Sequence, residues 1–553
     1  MSRIRGAVLA ALASVLLCAG QAAAQGAGPV DAAEAARWRE DLRYAAAEMR
    51  ARHQNLFHNL TPERFDAAVR ELDARIPTLA RHQIIVELAR IVAMVGDGHT
   101  NVYPTRDPKI GFHTLPVKLY LFKDGLFVRA ARKEQAELVG ARVLSVGGVA
   151  AEEAVARVGR LVGRDNAMGE KFFAPALLAM PEVLQATGMS ERPDGAQFVV
   201  ERDGRRQTVT LEQSGPVELM PADTDVSWVR KEGWVDLRGG AREPLWLKDP
   251  QDKFWFEYLP ESRAVYAQIN QVTNKEKETL ADFSARLFSF VESNPVEKLV
   301  LDLRLNRGGN GSLLRPLVVA AVRSKLNRRG QFFALIGRGT FSAAQFLLND
   351  LEEFTEVIFV GEPSASKGNA YGDSRRITLP NSGVTVRVSV YYWQDWAPYD
   401  TRLWTAPEVT AELSSEDYRA GRDPALKAAL EYAPRKSLAE MLSEALTKGG
   451  AESAVKAYRE FRAEPVNKYA EVEEPLLVAG QRLLNEKKPE QALALFRLDA
   501  EANPHSYNAH SAVGAALIRM GDREQAARNF EKALELNPKS YEASEGLKEA
   551  RRK

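Results

Sequence analysis

The chain has 553 residues, more than one hydrophobic core organises, so three or four domains are expected. Its 75 lysine and arginine residues balance 74 aspartate and glutamate residues, which gives no electrostatic reason to expect a nucleic acid or an anionic membrane surface as a partner. Cys18 is the single cysteine, which excludes a disulfide framework within the chain and a thiolate metal site.

Residues 1–24 are typical of an export signal. Arg3 and Arg5 supply the positive charge, residues 7–19 are apolar, and three alanines at 22–24 suit a signal peptidase. Cleavage after Ala24 removes Cys18. The apolar run is too short to span a bilayer comfortably, and no later segment is apolar enough. We therefore expect a periplasmic or secreted protein with no stable membrane insertion after the signal is cleaved.

Residues 30–105 are predicted to form a helical domain. Apolar residues recur on single helical faces, and one helix begins after Thr61, with proline in its first turn. A later helix, from His82, ends in the sequence GDGHT at residues 96–100. Two glycines there stop the helix and expose the residues after it. We name residues 96–100 the histidine loop, after His99.

Residues 115–212 change to alternating strands, which predicts a small β-rich module. Asp124-Gly125 and Asp203-Gly204 mark two hairpin turns, and residues 151–188 between them look helical. Residues 213–254 have no clear period and are interpreted as a connector.

Residues 255–432 are predicted to form an α/β domain with a parallel sheet. Alternation of buried strands with amphipathic helices is the pattern of parallel crossover units. The predicted strands include 298–303, 332–336 and 357–360, and the predicted helices between them are 313–322 and 342–353.

Residues 436–553 are helical and repetitive. Five positions recur with a constant offset of 34 residues, as from Phe496 to Phe530, and an Asn-Pro break recurs with them. Helix pairs at this period are typical of tetratricopeptide repeats. The matched positions are Ala492, Phe496, Asn503, Pro504 and Tyr507, followed by Ala526, Phe530, Asn537, Pro538 and Tyr541.

Three more loops come directly after predicted strands. We name them the glycine loop (302–310, DLRLNRGGN), the serine loop (340–345, TFSAAQ) and the lysine loop (361–368, GEPSASKG). In open α/β sheets, sites gather at the carboxyl ends of strands. Ser342 stands where a strand turns into a helix, so unpaired N–H groups and the positive end of the helix dipole face the group that it attacks. A plain helix N-cap is the alternative interpretation of Ser342.

The four loops, in this order, resemble those of the C-terminal processing peptidases, also called tail-specific proteases, and of the related tricorn protease core. Those families carry a GDGHT-like loop, a DLRxNxGG loop and a T-x-SA serine motif, with a PDZ-like module between the first and the second. The resemblance covers residues 38–430. It implies a multidomain α/β protein with a helical N-terminal domain, a PDZ-like module, a crotonase/Clp-like catalytic domain and all-α tetratricopeptide repeats.

The resemblance also implies roles for single residues. Ser342 matches the nucleophile, and the Gly308-Gly309 turn with the N–H of Ala343 matches the oxyanion hole. Glycine lets a backbone approach a substrate closely. Without the resemblance, an ordinary strand-to-helix turn is the simpler interpretation of the two glycines.

Two residues match a general base. His99 matches the histidine of the tricorn-like branch, and imidazole accepts a proton near neutral pH without a large pKa shift. Lys367 matches the lysine of the processing-peptidase branch, which must be desolvated to act as a base. The supporting glutamine of that branch falls on Tyr371 here, so His99 is the favoured base and Lys367 the alternative.

A third group would orient the histidine. Asp400 is the candidate, because tricorn-like proteins carry an acidic residue near this distance after the serine. Asp97 is closer to His99 in sequence. A surface carboxylate is the alternative interpretation of either residue.

Together these features predict an exported serine endopeptidase that acts on proteins or peptides. Its expected partners are a protein or peptide substrate, held by the PDZ-like module as an added strand, and a protein partner on the repeats. A catalytically inactive scaffold and a hydrolase of non-peptide esters or amides remain alternatives. No metal or cofactor is expected, because the histidine pairs His53/His58 and His505/His510 lack an HExxH pattern and no phosphate or dinucleotide fingerprint occurs.

Overall fold

The computed structural model describes residues 28–218, 228–398 and 400–552. The predicted export signal lies outside the described residues. Within them, no helix combines the length and the apolar character that crossing a bilayer requires. Contacts divide the chain into two units. The first unit is Met1–Glu243, Asn369–Asp395 and Ser414–Gly421, and the second is Pro244–Gly368, Trp396–Leu413 and Arg422–Lys553.

The first unit opens with three helices, as predicted. They are Ala32–Arg52, Pro62–Arg75 and Arg81–Ala93. The side chain of Thr61 caps the second helix, with proline in its first turn, so the predicted start is confirmed. Buried apolar residues on facing sides of the helices hold them together, Trp38, Phe65 and Leu72 among them.

A seven-stranded antiparallel sheet forms the rest of the first unit's core. Its main path runs through Val117–Phe122, Gly125–Arg132, Arg142–Val146, Gly195–Arg202 and Arg205–Glu212. Val149–Ala150 and Trp234–Asp236 pair with it at the side. Helices Ala151–Gly159, Ala167–Leu177 and Pro181–Ala186 fill the predicted helical stretch. Asp203 and Gly204 both have positive φ at the predicted hairpin turn.

Shorter elements complete the first unit. They are the pair His113–Thr114 with Gly215–Pro216, the hairpins Asn369–Gly372 with Tyr391–Gln394 and Arg375–Thr378 with Thr385–Val388, and the helix Ser415–Arg419. The predicted catalytic segment 255–432 therefore contributes to both units.

The second unit is built on a six-stranded sheet. Its order is Phe254–Leu259, Ala264–Ile269, Lys298–Asp302, Phe332–Ile336, Ile358–Gly361 and Val409–Thr410. The first two strands are antiparallel, and all later neighbours are parallel. Helices Leu280–Ser293, Arg315–Arg323, Ala343–Phe354 and Pro424–Leu430 accompany it. Both faces of the sheet are covered, since Ala334 packs in one apolar cluster and its neighbour Phe333 in another.

The tail of the second unit is helical. Leu438–Ala463 breaks at Gly449 and Gly450, and a short 3-10 turn, Pro465–Asn467, comes after it. The repeats are Glu473–Asn485, Pro489–Ala502, Tyr507–Met520, Arg523–Leu536 and Tyr541–Arg551. A Cβ at Gly480 would lie 2.2 Å from the Phe496 ring, and one at Gly514 would lie 2.8 Å from the Phe530 ring. The repeated glycine therefore makes room for the repeated phenylalanine.

Candidate active site

Ser342 lies in a strained turn between strand Phe332–Ile336 and helix Ala343–Phe354, which we call the serine helix. Its φ is 60° and its ψ is −126°, a region that non-glycine residues rarely adopt. Its side chain makes no capping hydrogen bond to the serine helix. Ser342 thus occupies the N-cap position of the serine helix without capping it through its side chain. A strained strand–turn–helix of this kind is how other hydrolases present a nucleophilic serine.

The serine loop is tied to the neighbouring strand of the sheet. Thr340 is fully buried, and its hydroxyl donates to the carbonyl of Leu303 at 2.9 Å and accepts from the N–H of Gly337 at 3.1 Å. The N–H of Phe341 donates to the carbonyl of Asn306 at 3.0 Å. These bonds fix the turn from both sides and hold Ser342 in its strained conformation.

Asn306 shapes the glycine loop from inside the protein. Its buried amide donates to the carbonyl of Ile269 at 3.0 Å and accepts from the N–H of Gly308 at 2.9 Å. Gly308 and Gly309 have φ values of 102° and 138°, which favour glycine. A Cβ on Gly308 would lie 2.7 Å from Cβ of Ser342, so only a glycine fits at this approach.

The predicted oxyanion hole needs one correction. The N–H of Gly308 is committed to Asn306, so Gly308 serves the site by its missing side chain and not as a donor. In the described part of the chain, the N–H groups of Gly309 and Ala343 have no acceptor. That same Gly308 Cβ would stand 3.0 Å from the nitrogen of Ala343. The glycine thus leaves open the space in front of that N–H.

Arg304 anchors the start of the glycine loop. Its guanidinium pairs with Asp302 and with Asp423, at 2.7 Å from the latter. Burial lowers the pKa of Arg304, but the charges of Asp302 and Asp423 outweigh burial and raise it well above its usual value. Tyr266 also donates to Asp302 at 2.6 Å. The DLR part of the motif is therefore a buried ionic support of the loop.

The lysine loop is bonded to the serine loop. The N–H of Ser342 donates to the hydroxyl of Ser366 at 3.1 Å, and the N–H of Ala365 donates to the carbonyl of Thr340 at 2.9 Å. Lys367 is half-buried in this loop. The structure therefore brings Ser342 and the lysine loop together within the second unit.

A buried polar network under the lysine loop starts from the serine helix. Gln345 donates to the hydroxyl of Thr405 at 2.7 Å and accepts from that of Ser364 at 2.6 Å. Asn349 donates to the carbonyl of Gly368 at 3.0 Å. The loop therefore has a fixed position relative to the helix that begins after Ser342.

Asp400 is engaged in an ion pair. Its carboxylate accepts from the backbone N–H of Arg402 at 2.8 Å and from the guanidinium at 2.9 Å, and Arg402 also pairs with Glu352 at 2.7 Å. Burial lowers the pKa of Arg402, but these carboxylates outweigh burial and raise it. The carboxylate of Asp400 therefore has an arginine as its partner, and its burial is explained without a histidine.

Asp97 organises the histidine loop in the first unit. One carboxylate oxygen accepts from the N–H of His99 at 2.9 Å, from that of Thr100 at 2.8 Å and from the hydroxyl of Ser389 at 2.7 Å. The other lies 3.0 Å from Nε2 of His53. Because Nδ1 of His53 accepts from a backbone N–H, we assign its proton to Nε2. Asp97 thus holds the backbone of His99.

The environment of Asp97 strongly favours its charged form. Burial raises its pKa, but the hydrogen bonds from His53 and Ser389, the electrostatic interaction with His53 and the hydrogen bond from Thr100 together lower it to about 2. The carboxylate is therefore a permanent anion at the base of the histidine loop.

His99 itself is half-buried. Its loop is held by a two-way backbone bridge, in which Asn101 and Arg387 each donate an N–H to the other's carbonyl, at 3.0 and 2.9 Å. Cε1 of His99 lies 3.8 Å from the position that a Cβ of Gly372 would take. His99 belongs to the first unit, whereas Ser342, Gly308, Gly309, Ala343, Lys367 and Asp400 belong to the second.

Sequence reasoning missed several supporting residues. Asn306 and Ser366 lie inside the recognised loops, and a polar residue just before two glycines is a signal that could have identified Asn306. The bond between His53 and Asp97 joins residues 44 positions apart, which no local pattern indicates. Among the described residues, no group of three histidine or acidic side chains is placed to hold a metal ion.

Comparison with known proteins gives one family match and several similar structures. The tetratricopeptide repeat family matches residues 507–540. Mature CPAF complexed with lactacystin is 13% identical, over 70% of this chain and 96% of that one, with a TM-score of 0.49. The photosystem II D1 C-terminal processing protease is 15% identical, over 72% and 99%, with a TM-score of 0.31. The comparison with curated proteins finds no match.

The tail also has a similar structure of its own. The first tetratricopeptide domain of Spaghetti (RPAP3), bound to an HSP90 peptide, is 23% identical over 20% of this chain and 86% of that one, with a TM-score of 0.17. The repeat expected in the tail is confirmed by the family match, and a structure of a C-terminal processing protease is among those that the chain is similar to.

Proposed function

We propose that this protein is a serine peptidase with Ser342 as its nucleophile. The observation that carries the proposal is the strained backbone of Ser342, held against a glycine loop that exposes the N–H groups of Gly309 and Ala343. A strained serine at the start of a helix, beside two donors, suits acyl transfer. A purely structural serine gains nothing from this strain.

The reaction is built from these positions. Oγ of Ser342 attacks the carbonyl carbon of the peptide while its proton passes to the base. The carbonyl oxygen becomes an oxyanion and accepts from the N–H groups of Gly309 and Ala343. The C–N bond breaks, the base returns the proton to the leaving amine, and water then hydrolyses the acyl-enzyme.

His99 is the proposed base, because its neutral imidazole accepts a proton without special tuning. Lys367, on the loop bonded to Ser342, is the alternative. No orienting carboxylate is part of the proposal, since Asp400 pairs with Arg402 and Asp97 with His53.

The remaining architecture fits a substrate that is a polypeptide. The antiparallel module of the first unit is proposed to be PDZ-like and to take an extended segment as an added strand, and the sheet of the second unit is proposed to be crotonase/Clp-like. The tail is proposed to bind a protein partner. The predicted export signal supports a location in the periplasm or outside the cell.

The test is labelling of the purified protein by a fluorophosphonate probe, which reacts with activated serines. Ser342→Ala and His99→Ala are expected to abolish labelling, whereas Lys367→Ala is expected to keep it. Ser443→Ala and His510→Ala are matched controls, because Ser443 is exposed and His510 partly exposed on helices of the tail, outside the site.

Each other outcome has a defined meaning. Loss with Lys367→Ala and not with His99→Ala would assign the base to Lys367. Turnover of a chromogenic ester without turnover of unfolded casein would replace the peptidase by an ester hydrolase. No labelling and no casein cleavage by the folded protein would contradict catalysis at Ser342.

A further inference from the structure

The hairpin of Asn369–Gly372 and Tyr391–Gln394, which we call the aromatic hairpin, carries three consecutive aromatic side chains at the surface. Tyr391, Tyr392 and Trp393 are 53%, 46% and 42% exposed. Neighbouring residues of a strand face opposite sides, so Tyr391 and Trp393 share one face, whereas Tyr392 packs on Tyr371 on the other. Single exposed aromatics are ordinary, but two neighbouring exposed rings on one face form an apolar patch of the kind that marks binding surfaces. The feature therefore needs a functional explanation.

The second strand of this hairpin is poorly protected against pairing with another chain. All four residues of Tyr391–Gln394 are exposed, and in the described part of the chain its one sheet neighbour is Asn369–Gly372. Proteins usually guard such edges with charges or proline, and the sequence YYWQ contains neither. An exposed, uncharged strand suits side-chain contact with an extended peptide.

Trp393 lies beside the proposed base. A Cβ on Gly372 would stand 3.2 Å from Cδ1 of Trp393 and 3.8 Å from Cε1 of His99. The indole and the imidazole therefore border one small space, which stays open because residue 372 has no side chain. Tyr391 continues the surface, with its ring 6.2 Å from that of Trp393.

The hairpin is anchored by a stack of rings. Tyr392 packs on Tyr371 at 4.9 Å, and Tyr371 packs on His58 at 4.4 Å and on His53 at 5.1 Å. His53 in turn bonds to Asp97 under the histidine loop. The hairpin and the histidine loop are thus parts of one packed structure, so a ligand on the hairpin meets a preformed surface.

We propose that the aromatic hairpin selects the substrate, with Trp393 and Tyr391 binding a bulky apolar side chain of an extended peptide beside His99. The inference rests on the proposed function, in which His99 is the base. Aromatic faces bind aromatic and aliphatic side chains well and discriminate against small polar ones. The preferred substrates are therefore unfolded segments with a large apolar residue next to the cleaved bond.

The test uses two quenched peptides that differ only in phenylalanine or serine next to the cleaved bond. Trp393→Ala is expected to lower kcat/KM for the phenylalanine peptide about tenfold, mainly through KM. Turnover of the serine peptide is expected to fall much less, so that the ratio of kcat/KM between the two peptides drops. Trp393→Phe, which keeps an aromatic surface, is expected to restore selectivity. Tyr541→Ala is the control, since Tyr541 is 77% exposed in the tail.

A binding measurement separates this inference from the proposed function. In the Ser342→Ala background, the phenylalanine peptide is titrated by fluorescence anisotropy, and adding Trp393→Ala is expected to weaken binding about tenfold. If the unaltered protein is not labelled by the fluorophosphonate probe, the proposed function is contradicted, whereas the peptide-binding result still tests the inference. Equal effects on both peptides, or no effect of Trp393→Ala on either readout, would overturn the inference. Dissociation of an oligomer by Trp393→Ala with unchanged peptide selectivity would also overturn it.

Discussion

Ser342 has a strained backbone conformation, with φ at 60° and ψ at −126°. Glycine adopts this conformation without a Cβ penalty, so Ser342→Gly is expected to be inactive yet more stable than Ser342→Ala by about 1 kcal/mol. Chemical denaturation of the two inactive variants measures the difference directly.

Ser312 provides the opposite case for comparison. It lies in a 3-10 turn, Gly311–Leu313, and its φ is not positive. Ser312→Gly is therefore expected to be less stable than Ser312→Ala, because glycine loses more backbone entropy on folding. The same order at both positions would contradict strain at Ser342.

Asp97 makes the free energy of unfolding depend on pH in the acidic range. Its pKa is lowered from 3.8 to about 2, so folding favours the charged form. Its contribution, about 2 kcal/mol, is complete above roughly pH 4 and is lost as the pH falls towards 2. Asp97→Asn is expected to lower Tm at neutral pH and to flatten the loss of stability in this window.

Thermal unfolding measured at several values between about pH 2 and 6 checks the role of Asp97. The control is Asp203→Asn, at an exposed hairpin turn whose side chain is 81% exposed. Identical pH profiles for Asp97→Asn and the unaltered protein would show that Asp97 does not carry this dependence.

At the scale of elements, the proposed oxyanion hole depends on the short distance between the glycine loop and the serine loop. Gly308→Ala places a methyl group 3.0 Å from the nitrogen of Ala343 and demands a disfavoured φ of 102°. It is expected to slow fluorophosphonate labelling by about 100-fold, as for the loss of one oxyanion donor. The labelling rate at saturating probe measures the effect.

Gly337→Ala is the matched control, because its Cβ would meet only ordinary contacts of 3.8 Å or more at the entrance of the same turn. Its labelling rate is expected to stay within about twofold of the original. A similar loss of labelling rate in both variants would indicate a general distortion of the turn and would contradict a specific effect on the oxyanion hole.

The elements of the second unit were largely predictable from periodicity. Strand Phe332–Ile336 has the predicted limits, and the serine helix differs from its prediction by one residue at each end. Short buried strands of a parallel sheet read as continuous apolar runs, so local sequence is enough. The aromatic hairpin was not predicted, because its strands pair across nearly twenty residues and carry no hydrophobic alternation.

The site was predictable only in part for a related reason. Ser342 and Gly308-Gly309 stand in short local motifs, and their contact within the second unit is a consequence of the order of parallel strands. The bond from the Gly308 N–H to Asn306 depends on exact backbone geometry. The partner of Asp97 is set by packing between distant segments, which sequence spacing does not reveal.

At the scale of the whole molecule, the tail is bonded to the sheet-bearing part of the second unit. Glu412, 10% exposed at its side chain, accepts from the hydroxyl of Tyr469 at 2.8 Å and pairs with Lys468 at 2.7 Å. Burial and the Glu412 carboxylate raise the pKa of Tyr469, so this hydroxyl stays a donor. The ring of Tyr469 also meets that of Trp404, next to Thr405 of the polar network.

Glu412→Ala is expected to loosen this attachment by about 1 kcal/mol, because it leaves the partly buried hydroxyl of Tyr469 without its acceptor. The segment after Pro424–Leu430 contains Arg435 and Lys436, and limited trypsin digestion there is expected to become roughly tenfold faster. Glu431→Ala is the control, as it removes an exposed carboxylate beside the same segment. Equal digestion of both variants would contradict the attachment.

Because the chain passes between the two units several times, parts of the first unit are translated after parts of the second. A nascent chain folds from its N-terminus, but the histidine loop takes its backbone bridge from Arg387 and borders Gly372, both translated after Ser342. A ribosome that stops before residue 387 therefore releases a serine loop without a supported histidine. Under the proposed function, in which His99 is the base, catalytic competence would therefore require translation through at least residue 387.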